Sequence, residues 1–415
     1  MTENENFKNL KHLYNRAGFG LHYSELQKLC RTKLNKVVSD MIEKAKVDMP
    51  LTTIAPDHIK SVMLKNAGLT KKEGLSPEQL KERQKHLVSL NKQLKNLNTE
   101  WVFRMMDTDS PLREKMTLFW NNHFACREEG NPYFAQVLNN IQRKNALGDF
   151  KILLIEVSKS ASMLNFLNNQ QNKKGRPNEN FARELMELFT LGRGNYSEKD
   201  IKESARAFTG WSHDAAGNFE FNPKNHDNGI KAFFGKEGNF SGEDIIDMIL
   251  QKPEAAIFIA RKAYRFFVND VPNETHVQEL GNHFFKNKYN ISALMNKMFT
   301  SEWFYAPENT GNKIKSPVEL IVGLSRQFNV TYKRQEIILQ LQRGLGQTLF
   351  YPPNVAGWAG GRNWIDSSSL MLRLTIPSQI LNDGSINFSA KTDPDDENIV
   401  AMKQMDDAAL EAKKG

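Results

Sequence analysis

The stretch Asn178-Glu179-Asn180-Phe181-Ala182-Arg183-Glu184-Leu185-Met186-Glu187-Leu188-Phe189-Thr190-Leu191-Gly192 reads as one amphipathic helix with a carboxylate set into its apolar face. At about 100° per residue, Phe181, Leu185, Leu188 and Leu191 form the apolar sector, and Glu184 falls between Leu188 and Leu191. Arg183, Glu187 and Glu179 fall on the other side, where Glu179 and Arg183 have the i,i+4 spacing of a surface ion pair. An unpaired carboxylate among apolar side chains is costly, so Glu184 demands a cation, a donor or a raised pKa.

A second helix poses the complementary question. Ser110 stands at the N-cap position, Pro111 at the first helical position, and Leu112, Met116 and Phe119 mark an apolar face running to Phe124. His123 falls almost at the centre of that face. Two readings stand side by side. His123 is a core histidine bonded to a carbonyl or to Glu184, or the two belong to one polar site between packed helices.

Working outward, the pattern is helical nearly throughout. Leu10 to Arg16, Tyr23 to Cys30 and Leu34 to Lys44 open the chain, and Ser76-Pro77-Glu78 starts a long helix towards Phe103. Ser197-Glu198-Lys199-Asp200 carries capping chemistry ahead of Ile201, Ala205 and Phe208. The segment 212–239 is the one convincing non-helical insert, with Phe219-Glu220-Phe221-Asn222-Pro223 alternating like a strand after the Gly217-Asn218 turn and Ile230 to Phe234 as its expected partner. Between these lies Asn225-His226-Asp227-Asn228-Gly229, a loop that offers a histidine and a carboxylate. A second irregular section, 346–364, is rich in glycine, proline and aromatics, including Trp358 and Trp364. The expected fold is mainly α, a multi-helix orthogonal or bundle-like array with a small β-hairpin insert. Its expected organisation is an N-terminal helical region over 1–50, a main body over 51–381 and a polar mobile tail over 382–415.

Composition excludes several classes. The 415 residues carry a formal charge of +8 and 40% hydrophobic residues, ordinary for a soluble globular protein. No apolar run reaches the roughly 18 residues that span a bilayer, and Met1 to Asn9 lack the features of a signal peptide, so a cytoplasmic location is expected unless a leader was removed. Two cysteines, Cys30 and Cys126, exclude a disulfide framework and a cysteine-rich zinc site. The lysines are dispersed. Lys71-Lys72 and Lys173-Lys174-Gly175-Arg176 are short and lack interleaved aromatics, which argues against a nucleic-acid partner. No dinucleotide fingerprint, Walker loop, HExxH or nucleophile elbow occurs.

Six segments, in order, carry a resemblance. They are His12 through Gly20, Phe119-Trp120-Asn121-Asn122-His123-Phe124, Asn178 through Gly192, Ala205-Arg206-Ala207-Phe208-Thr209-Gly210-Trp211, His226-Asp227-Asn228-Gly229-Ile230-Lys231, and Gly346-Gln347 through Gly357-Trp358. Together they resemble the bacterial family catalogued as domain of unknown function 1800, over roughly residues 8 to 380. The family carries no agreed activity. The resemblance implies a neighbour, and thus a candidate partner, that looks like alkaline phosphatases and sulfatases, and it implies export for many members. Many relatives show Trp-His-x-His-Phe where this chain has Trp120-Asn121-Asn122-His123-Phe124, and others have a histidine where this chain has Phe189. Both departures remove an imidazole.

Two functions follow as expectations. One is an enzyme whose site gathers His123, Glu184, His226 and Asp227, with Arg206 and Lys231 binding an anionic group of the substrate. A divalent metal (Zn, Fe or Mn) held by His123, Glu184 and His226 would leave positions open for water, and without metal Glu184 and His123 would act as acid and base. Hydrolysis and oxidation both fit. The other is a non-catalytic helical scaffold serving a partner enzyme or a polymer, in which Glu184 simply pairs with Arg206, Arg183 or His123.

Overall fold

The computed structural model describes residues 2–56, 76–128, 131–332 and 335–382. The expected tail beyond Asn382, most of the weakly periodic segment from Ile54 to Gly74, and Lys71-Lys72 lie outside the described residues.

The chain is a helical array, as its periodicity implies. The opening helices run Glu3–Ala17, Tyr23–Leu29 and Leu34–Lys44, and the long helix runs Pro77–Asp107. Local chemistry sets the starts. Ser76 with Gln79, Ser197 with Asp200, Ser241 with Asp244 and Ser316 with Glu319 each close a reciprocal capping box, which satisfies amides that no helical carbonyl can reach. Ser110 differs from expectation. It sits at the N-cap of the Pro111–His123 helix, but its hydroxyl donates to the carbonyl of Lys44 instead.

Two apolar clusters share the interior. The larger joins Leu10, Leu13, Val38 and Met41 of the opening helices to Trp120, Phe150, Leu185, Ile259 and Phe299. The smaller gathers Leu97, Trp101, Val318, Ile321, Ile338 and Leu341. Burying each large side chain contributes about 1.5–3 kcal/mol, so these clusters dominate stability. The Pro111–His123 helix contributes to both.

Buried polar pairs fix that helix further. Arg143 donates to Glu114 through Nε and Nη2 at 2.9 and 3.2 Å, and Trp101 Nε1 donates to the same carboxylate at 2.8 Å. Asn98 and Gln342 exchange amide hydrogen bonds in the smaller cluster.

Two expectations need correction. The quoted stretch is not one α-helix: Asn180–Glu184 is α-helical, and Leu185–Thr190 widens into a π-helix. The Leu191 amide donates to Met186 and the Thr190 hydroxyl to Leu185, both five residues back, so the even 100° spacing fails from Leu185 on. The insert is also two hairpins rather than one. β1 (Trp211–His213) pairs antiparallel with β2 (Phe219–Phe221), and β3 (Lys231–Phe233) with β4 (Lys236–Gly238). Each strand takes a close neighbour in sequence, because short connections lose the least chain entropy. Cys30 and Cys126 are free, partly buried thiols.

Candidate functional site

His123 closes its helix among Phe119, Trp120, Phe124, Phe150 and Phe189 and is 4% exposed. Its Nε2 lies 3.1 Å from the carbonyl of Phe189. A carbonyl only accepts, so Nε2 carries the proton and Nδ1 is left as a lone pair. Among the described residues Nδ1 has no hydrogen-bond partner. Burial, and then the Lys262 cation, hold this imidazole well below the usual histidine pKa, so it is neutral. Of the two readings, the carbonyl bond is the one realised; Glu184 is not the partner.

The π-helix supplies that carbonyl and the next cation's acceptor. Carbonyls near a helix C-terminus have no helical donor. The Phe189 carbonyl takes the His123 N–H, and the Leu188 carbonyl takes Lys262 Nζ at 2.9 Å. Lys262 comes from the Pro253–Phe267 helix, with its ammonium over the Phe258 ring. Burial, then Arg265, pulls its pKa down to about 8.

The loop after Leu345 forms the far wall. Asn122 clamps it, accepting from the Trp358 amide at 2.7 Å and donating to the Trp358 carbonyl at 3.2 Å. Gly357 has φ +76°, and a Cβ there would run into Asn122, so the close approach requires glycine. Trp358 and Trp364, both nearly buried, anchor the loop and also line the space it encloses.

That space is a cleft of ≈ 720 Å³ lined by His123, Glu187, Lys262, Arg265, Lys313, Glu319 and Arg362 together with these aromatics. A second cavity of ≈ 480 Å³ adjoins it, lined by Lys8, Lys11, Arg16, Lys313, Lys315 and Glu319. Phe266, Lys313, Ile314 and Glu319 belong to both. Some of these charges are paired: Lys115 with Glu319, Lys313 with Asp270, Arg193 with Glu187. Burial works to raise the Glu319 carboxyl, but Lys115, the Ser316 amide and Lys313 together outweigh it and bring the pKa to about 2. Among the described residues, Lys262, Arg265 and Arg362 on the cleft, and Lys8, Lys11, Arg16 and Lys315 on its neighbour, have no carboxylate within ion-pair distance. Arg16 instead donates to the Asn309 carbonyl and the Asn312 amide oxygen.

The other expected site residues lie elsewhere. Glu184 is half-buried and makes no hydrogen bond or ion pair among the described residues; burial, then Glu187, raises its pKa. Its intended place between Leu188 and Leu191 is lost to the π-helix. His226 is 7% exposed, with Nδ1 2.8 Å from the Thr209 carbonyl. Asp227 takes Arg206 Nε and Nη2 at 2.8 and 3.3 Å, and Arg206 also bonds Glu203 and the Ile230 carbonyl. Lys231 is fully buried, donating to the Gly229 carbonyl and Asn239. So His226, Asp227, Arg206 and Lys231 form one network that ties the hairpins down. None of the four, nor Glu184, lines the cleft that His123 lines. Among the described residues no group of three or more His, Cys, Asp or Glu side chains is arranged to hold a metal. The set of His123, Glu184 and His226 therefore does not fit one.

Comparison with known proteins gives one result. The model of a protein family of unknown function, DUF1800, matches residues 12–413. The chain belongs to this family. No curated protein and no solved structure matches it. Among the described residues no helix of this DUF1800 chain is long and apolar enough to cross a membrane.

Sequence reading missed Asn122, Lys262 and the Lys115–Glu319 pair. Asn122 was within reach, because it sits inside the motif that holds His123. Lys115 and Glu319 are 204 residues apart, and a periodicity argument cannot join them.

Proposed function

We propose that this chain is an enzyme acting on an anionic substrate in the cleft, with His123 as general base and Lys262, Arg265 and Arg362 as the anion's partners. The observation that carries the reading is a neutral imidazole of fixed tautomer beside cations that, among the described residues, lack counter-charges. Lys262 is the partly desolvated cation, with Arg265 and Arg362 exposed at the rim; a partly desolvated cation without a counter-charge is unfavourable in the empty protein, and an anionic ligand removes that cost on binding. An imidazole with a free lone pair suits proton abstraction from water, as hydrolysis requires.

The cations line cavities rather than a strip interleaved with exposed rings, which favours a compact anion over a nucleic acid. The alternative, a scaffold for a phosphatase- or sulfatase-like partner, draws support from the closed network around Asp227, which needs no ligand.

The test is titration of phosphate, sulfate and small carboxylated sugars into wild type, Lys262→Gln and His123→Gln, alongside a hydrolase and oxidase screen of the same proteins. Anion binding lost in Lys262→Gln, with turnover lost but binding kept in His123→Gln, supports the enzyme. Binding without turnover in wild type supports the scaffold. Equal affinity in wild type and Lys262→Gln would remove the cleft from consideration.

A further inference from the structure

The motifs Ala205 to Trp211 and His226 to Lys231 take no part in the cleft, but Gly210 and Trp211, at the end of the first, line another cavity, and the second begins just after Asn225, which lines it too. It measures ≈ 490 Å³ and includes Gln170, Asn172, Ser212, Phe221, Asn222 and Asn225. That volume is within the ~300–1,000 Å³ typical of small-ligand sites.

Its frame is held by backbone and amide bonds. The Asn172 side chain donates to the Ala205 carbonyl and accepts from the Asn178 amide. The Gly210 amide donates to the Asn172 carbonyl, the Asn222 amide to Gly210, and the Lys174 amide to Asn225. Gly210, at φ +82°, lets the Asn222 carbonyl come so close that a Cβ would lie 2.6 Å from it. Behind Asn225, His226 and Asp227 are fastened to Thr209 and Arg206. The frame is therefore preorganised.

Its polar groups, by contrast, are unspent. Among the described residues the side chains of Gln170, Ser212 and Asn225 make no hydrogen bond, and Gln170 Oε1 is buried without a partner. Phe221 leaves its ring half-exposed at the rim. One Lys173 and one Glu220, neither in an ion pair, balance each other across the lining.

We infer that this cavity is a binding site for a neutral, hydroxyl-rich sugar ring. Amides donate and accept at once, which matches hydroxyl groups that do the same. An aromatic face packs against the apolar C–H face of a pyranose. The balanced charge disfavours a phosphate or an organic cation. The site is independent of the anion cleft.

The experiment is saturation-transfer NMR followed by calorimetry with gluco-, galacto-, manno- and N-acetylated di- to hexasaccharides. The proteins are wild type, Phe221→Ala, Gln170→Ala and Lys262→Gln, each confirmed folded by circular dichroism and thermal melting. At least one oligosaccharide binds wild type, weakens about tenfold or more in both Phe221→Ala and Gln170→Ala, and keeps its affinity in Lys262→Gln. No binding to wild type, unchanged affinity in both cavity variants, or loss confined to Lys262→Gln would overturn the assignment.

Discussion

His123 and His226 are both buried and both bond a backbone carbonyl, yet their surroundings are opposite. Around His226 each polar group is answered: Arg206 meets Asp227 and Glu203, Lys231 donates to the Gly229 carbonyl and the Asn239 amide oxygen, and the Thr209 hydroxyl accepts from the Asp227 amide. Around His123 the second ring nitrogen has no partner among the described residues, and Lys262 meets only a carbonyl. Closed networks of this kind pin segments of chain. Polar groups that the fold positions without satisfying are where a ligand contributes most.

If closed networks are structural, removing one partner must cost stability. The extreme case is Glu114, whose loss leaves the fully buried Arg143 without its counter-charge and Trp101 without its acceptor. Glu114→Ala is expected to destabilise by about 3–5 kcal/mol, read from urea unfolding. A loss under about 1 kcal/mol would show that the network is dispensable.

Asp227→Ala should cost less, about 1–3 kcal/mol, because Arg206 keeps other acceptors and some contact with water. Its pH dependence has a definite sign. The Arg206 hydrogen bonds hold the Asp227 carboxyl at about 2, below the ordinary 3.8. A depressed carboxyl stabilises fully above its unfolded value and loses that contribution as the pH falls through its folded value. The stability difference between wild type and Asp227→Asn should therefore shrink between about pH 4 and pH 2. A constant difference across that window would mean that the Arg206 pair is not what Asp227 contributes.

The cleft should respond the other way. Lys262→Gln is expected to change stability by no more than about 0.5 kcal/mol while weakening anion binding about tenfold, or about 1.4 kcal/mol. Since the Lys262 amine titrates at about 8, wild-type affinity for an anion should fall as the pH rises through that value. The same step should be missing in Lys262→Gln. If it persists there, the titrating group is another one.

Legibility in the sequence followed how local each cause is. Capping serines, apolar periodicity and Pro at first positions are local, so the helices fell where Ser76, Ser197 and Ser316 put them. The burial of His123 was equally legible from its place on an apolar face. Glu184 was misplaced because a π-helix shifts the register by one residue, and no residue type announces that shift. The strand Phe219–Phe221 was legible by alternation, but its partner was not, since both Trp211–His213 and Lys231–Phe233 can pair in principle. The cleft and its neighbouring cavity draw on residues from Lys8 to Trp364, a set only the fold could assemble.

The smallest expected effect tests the surface of the same helix. Glu179 and Arg183 do form their i,i+4 pair, at 3.3 Å, but Arg183 makes the better contacts with Glu198, through Nη1 and Nη2 at 2.8 and 2.9 Å. Glu187 turns instead to Arg193 and the Tyr196 hydroxyl. Two-pronged geometry favours the Glu198 pair, yet Glu198 is well exposed, and water and salt screen the attraction. Glu198→Gln should therefore lower stability only slightly at low ionic strength and not measurably near 1 M salt, where the screening length is about 3 Å. A larger loss that survives high salt would mean that this pair belongs with the closed networks. The line between bonded structure and open site would then have to be drawn by desolvation rather than by whether a partner is present.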